Sequence, residues 1–83
     1  MGRRRFVIFT YHREARGFAA RALRQALPRD AYEYRSAAAL IHDGVARSEA
    51  TPRYEGDATD AEMRRVLELL ADDEAYGIDI YHD

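Results

Sequence analysis

The sequence predicts one α+β domain spanning residues 1–83, with elements in the order β-α-β-β-α-β. A four-stranded antiparallel sheet with both helices on one face is the architecture this order implies. Three observations carry the prediction. Phe6-Val7-Ile8-Phe9 is an unbroken run of β-formers, two later segments repeat apolar residues at helical spacing, and Asp43-Gly44 stands between extended segments as a hairpin signal. With 83 residues, 47% of them apolar, the chain can bury roughly 60–65% of its unfolded surface around one thin core.

The first strand covers about residues 4–11, and its continuous apolar run fits a central position. A helix follows at about 13–27. Ala15, Phe18, Ala19, Ala22, Leu23 and Ala26 share one arc of it, and Arg13, Arg16, Arg21 and Arg24 take the opposite arc before Pro28 ends it. At 31–42, Tyr32 and Tyr34 alternate with Glu33 and Arg35, which reads as a strand. The alanines within Ser36–His42 also fit a turn of helix; Asp43-Gly44 tips the reading to a hairpin with a return strand at 45–54, where Pro52 marks a bulge or an end. The second helix starts at Thr59-Asp60-Ala61-Glu62, a capping box, and runs to about 71 through Met63, Val66, Leu67 and Leu70. A polar loop, 72–77, leads to a last strand at 78–82. This order resembles the ferredoxin-like plait, in which the first two strands run the same way with the third between them.

Charge is sorted along the chain. Residues 1–29 hold eight arginines against Glu14, whereas residues 55–83 hold ten acids against Arg64 and Arg65, and the net of −2 conceals both blocks. Either one face meets a charged partner, or the two blocks neutralise each other in the fold. All thirteen basic residues are arginine, which points to a GC-rich source rather than to arginine chemistry. There is no cysteine, hence no disulfide or thiolate site. The apolar run at 6–9 is too short for a signal peptide or a membrane span, so a cytoplasmic protein is expected.

No residue pattern points to catalysis. His12, His42 and His82 fall at the ends of different strands, too far apart for one ion, so no metal or cofactor is expected, and His82 beside the terminus should be solvated. The hydroxyls sit in no glycine-framed turn and the five glycines form no phosphate loop. Among plait enzymes, acylphosphatases carry an arginine-bearing glycine loop after the first strand and Cas2 nucleases an aspartate there. Thr10-Tyr11-His12-Arg13 has neither.

Interaction surfaces remain. The arginine face Arg13, Arg16, Arg21 and Arg24 offers sequence-independent phosphate contacts, although net negative charge makes nucleic acid the less favoured partner. Tyr32 or Tyr34 on an edge strand would support a homodimer by strand addition, with a monomer the alternative. Glu55, Asp57, Asp60 and Glu62 surround the start of the second helix, where the helix dipole favours them. Asp72, Asp73 and Glu74 crowd its other end, where negative charge is unfavourable, and Asp79 adds to them. Such a compact, cysteine-free, acidic-faced chain resembles the small phage-encoded anti-CRISPR inhibitors, several of which mimic DNA. That resemblance implies a non-enzymatic protein whose acids Glu55, Asp57, Asp60, Asp72, Asp73, Glu74 and Asp79 occupy the basic surface of a nucleic-acid-handling target such as a CRISPR effector subunit. The alternative is a nucleic-acid-binding regulator using the arginine face.

Overall fold

A computed structural model describes residues 2–83. Strands β1 (Arg4–Thr10), β2 (Tyr32–Arg35), β3 (Arg53–Ala58) and β4 (Ile78–His82) form one antiparallel sheet in the order β2-β3-β1-β4. The helices are α1 (Arg13–Ala26), α2 (Ala37–His42) and α3 (Asp60–Leu69). As its apolar run requires, β1 is central, bonded to β3 on one side and β4 on the other.

The pleat of β1 sorts its side chains. Phe6, Ile8 and Thr10 are buried beneath the helices, while Val7 and Phe9 face the other way and are half-buried. Ala19, Ala22 and Leu23 of α1 close on Phe6 and Ile8, joined by Met63 and Val66 of α3. Alanine at these helix positions lets α1 approach the sheet closely. Both long helices therefore share one core on one side of the sheet.

Each long helix begins on a specific cap. His12 Nδ1 accepts the Ala15 N–H at 3.1 Å, and its Nε2 donates to the Tyr76 carbonyl at 3.1 Å. The capping box forms as the sequence predicts: Thr59 Oγ1 accepts the Glu62 N–H at 3.1 Å and Glu62 accepts the Thr59 N–H at 2.9 Å. That backbone bond, then Arg3, holds the Glu62 carboxyl below its usual range. In the same way the Ala71 N–H, then Arg21, holds Glu74 below it. A carboxyl whose folded pKa is depressed stabilises the fold above its unfolded value, and that contribution is lost as pH falls through the folded one. Urea midpoints should therefore stay level near neutrality and drop once pH passes below about 4.5, the unshifted glutamate value. Glu62→Gln should lower the neutral midpoint and flatten the acid limb; an unchanged pH profile would exclude this role.

The middle of the chain departs from the expected hairpin. Residues 36–42 are not strand: Ser36 Oγ accepts the Ala39 N–H at 3.1 Å and caps α2, a third helix. Asp43-Gly44 ends that helix instead of turning a hairpin, with Gly44 at φ 98°, a left-handed conformation suited to glycine after a helix. Residues 45–52 form no strand, and β3 begins only after Pro52. The local cap of Ser36 won over the hairpin dipeptide. This shift moves Glu55 and Asp57 from a loop onto β3.

Candidate partner-binding surface

Antiparallel pairing of β1 with β3 decides the fate of the charge blocks. Arg4 sits opposite Ala58 and Arg5 opposite Asp57, so the arginine run lies beside the start of α3. Arg3 pairs with Glu62 at 2.8 Å, Arg4 with Asp60, and Arg5 with Glu55 at 3.1 Å. Arg35 also approaches Glu55, at 3.8 Å. On the other long helix, Arg21 pairs with Glu74. Much of the sorting seen in sequence is thus consumed inside the domain. Each exposed pair is worth only about 0–1 kcal/mol, yet together they leave a different surface charge from the one the sequence displays.

The seven acids divide between the two ends of α3. Glu55, Asp57 and Asp60 lie at its start; Asp72, Asp73, Glu74 and Asp79 lie beyond its end, roughly 15 Å away along ten residues of helix. At the first end Glu55 and Asp60 are paired, and Asp57 receives Arg3 on its backbone oxygen at 2.6 Å. At the second end the chain leaves α3 at Leu70–Ala71 and opens a separate 3₁₀ turn, Asp72–Ala75. The acids begin that turn rather than crowd the helix terminus. Glu74 is spent on Ala71 (3.1 Å) and Arg21, which removes it from the free set.

Asp72 and Asp73 are exposed and, among the described residues, have no ion partner. Asp72 and Asp79 border one hollow of about 290 Å³ between α3 and β4. Asp79 accepts the Tyr11 hydroxyl at 2.8 Å, and this bond raises the phenol's pKa.

Arg13, Arg16 and Arg24 likewise have no carboxylate within ion-pair distance among the described residues, unlike Arg21. Gly17 and Ala20 lie between them on the helix surface, and nothing stands within 4 Å of a side chain added at Gly17. Tyr32 and Tyr34 lean onto Tyr54, with ring centroids 6.3 and 5.1 Å away. His82 is not solvated; its Nε2 lies 2.9 Å from the Ala58 carbonyl. Among the described residues no His, Asp and Glu group is arranged to hold a metal ion, and no helix is long and apolar enough to cross a membrane.

The open sheet face is what sequence reasoning missed. Arg35, Arg53, Phe9 and Asp79 stand in one row across the four strands, with the Arg53 guanidinium 4.7 Å from the Phe9 ring centre. Tyr81 meets Phe9 edge-on at 5.7 Å. The alternation of Arg53, Glu55 and Asp57 against Tyr54, Gly56 and Ala58 carried the signal, but the expected strand at 45–54 cut across it. Comparison with known protein families, with curated proteins and with solved structures finds no match for this chain.

Proposed function

We propose that this chain is a small non-enzymatic protein-binding inhibitor, similar in class to anti-CRISPR proteins, that acts in the cytoplasm by occupying a basic nucleic-acid surface of its target. One observation carries the reading. Beyond the end of α3, Glu74 is paired, whereas Asp72 and Asp73 are exposed and, among the described residues, have no cation partner. The strand order β2-β3-β1-β4, with α1 and α3 on one face, supports a ferredoxin-like plait as the scaffold presenting that corner. The DNA-mimicking surface is correspondingly narrow, centred on Asp72 and Asp73, because Glu55, Asp60 and Glu74 are held in ion pairs. Partner affinity should depend steeply on salt, since charge complementarity governs association. Surface binding to a panel of purified CRISPR effector complexes tests this. Affinity for a responding effector should fall by about tenfold or more, on the order of 1.4 kcal/mol, for Asp72→Arg with Asp73→Arg. Equal affinity of the double variant would remove the acidic corner from the mechanism.

A second reading rests on Arg13, Arg16 and Arg24, which the fold leaves without carboxylate partners along α1. Three arginines facing phosphates would give weak, salt-dependent retention of DNA or RNA. Gel-shift titration at low salt separates the two. The inhibitor reading expects no shift; a shift abolished by replacing the three arginines with glutamate favours a nucleic-acid-binding regulator.

A further inference from the structure

We infer that the edge of β4 and the groove beside α3 form a self-complementary surface that binds a second copy of this chain, a contact that shares Asp72 and Asp79 with the acidic corner. The outer edge of the sheet at β4 is unprotected. Gly77 and Asp83 bond to β1 through Tyr11 and Arg5, at 2.9 and 3.0 Å. Alternation along an antiparallel strand then turns the N–H and C=O of Ile78, Ile80 and His82 outward, unpaired. The strand contains no proline and no lysine, the usual guards of an exposed edge. At the opposite edge, β2 is only four residues long and is followed directly by α2.

Beside this edge runs an apolar trough. Hollows of about 290 and 380 Å³ meet at Leu67 and Ile80, so they form one groove between α3 and β4. Leu67 is 56% exposed although it lies on the apolar stripe of α3. Among the described residues, four of the five exposed large apolar side chains, Tyr11, Leu67, Tyr76 and Tyr81, lie on β4, beside it or facing it across the groove. On the helix-facing side of β4, Ile78, Ile80 and His82 are each only half-buried.

The occupant follows from the symmetry of charge in the groove. One end carries Arg64 and His82, together with Asp60, which Arg4 already pairs, and the other carries Asp72 beside Ile78, with Leu67 and Ile80 in the middle. A two-fold axis through Ile80 pairs β4 with its copy in antiparallel register, which forms up to about six backbone hydrogen bonds. It sets Leu67 against the other Leu67 and brings each Arg64 toward the other copy's Asp72. On the open face it places each Tyr81 opposite the other copy's Asp79. A surface with opposite charges at its two ends and an apolar centre matches itself under a two-fold, the requirement for an isologous dimer. Two sheets would become one of eight strands.

Sedimentation equilibrium across a micromolar concentration series is the test. The wild type is expected to approach twice its monomer mass as concentration rises. Leu67→Glu, at an exposed position where folding can be confirmed by circular dichroism, should weaken the dimer by about tenfold or more. Arg64→Asp and Asp72→Arg should each weaken it, and the two together should restore it, because the swapped charges again meet across the axis. A wild type that stays monomeric throughout overturns the inference and leaves the groove to another protein. A dimer insensitive to Leu67→Glu, or a charge swap that restores nothing, also overturns it by placing the contact on another face.

Discussion

Phe6→Ala is expected to lower the unfolding free energy by about 3–5 kcal/mol, the cost of deleting a buried aromatic ring and leaving a cavity. Phe6 is 1% exposed and lies where α1 and α3 both meet the central strand. Three of the nine residues buried with it, Ala19, Ala22 and Ala58, are alanine, whose side chains cannot extend into the vacated space. A domain of this size has ~5–10 kcal/mol in total, so the variant sits near the edge of folding. Urea unfolding followed by far-ultraviolet circular dichroism reads the change. A loss below about 1 kcal/mol would mean that the helices do not close on β1 as described.

Gly56→Ala is expected to cost on the order of 3 kcal/mol, for a different reason. Gly56 has no positive φ, so torsion does not explain the glycine. A Cβ there would collide with the Ala31 carbonyl oxygen and stand 2.8 Å from the Tyr32 Cα. Those are backbone atoms and cannot swing aside. Since Tyr32 pairs with Gly56 in register, β2 would have to part from β3. Amide exchange gives the specific signature: β2 amides should exchange much faster in Gly56→Ala, while the β1–β4 pair keeps its protection. Uniform loss of protection would point to global unfolding instead, and no loss at all would contradict the close approach.

Such contacts explain which parts of the molecule were legible in the sequence. β1, α1, the Thr59–Glu62 box, α3 and β4 each announce themselves within a few residues, through an apolar run, a helical period or a cap. Residues 36–52 did not, because two local signals competed. The Ser36 cap and the alanine run specified a short helix, and Asp43-Gly44, which serves equally at a hairpin or a helix end, then terminated it. The ion pairs of Arg3, Arg4 and Arg5 with Glu62, Asp60 and Glu55 span fifty residues or more of sequence. They depend on the β1–β3 register, which no local pattern encodes. Charge sorting left both a charged partner and internal neutralisation open, and the register decides much of it: Arg3 and Arg4 pair with Glu62 and Asp60 at the start of α3, and Arg5 with Glu55 on β3. The proposed partner surface is the corner of Asp72 and Asp73, which that register does not reach.

Phage plating on CRISPR-immune hosts tests that corner most directly. Expression of the wild-type chain is predicted to restore plaque formation in a responding host. The variant carrying Asp72→Arg and Asp73→Arg should fail to restore it at equal protein level and equal thermal stability. Replacement of Arg13, Arg16 and Arg24 by glutamate should leave the restoration intact. Equal plaquing with the acidic corner reversed, or no restoration by the wild type in any host of the panel, would contradict the account.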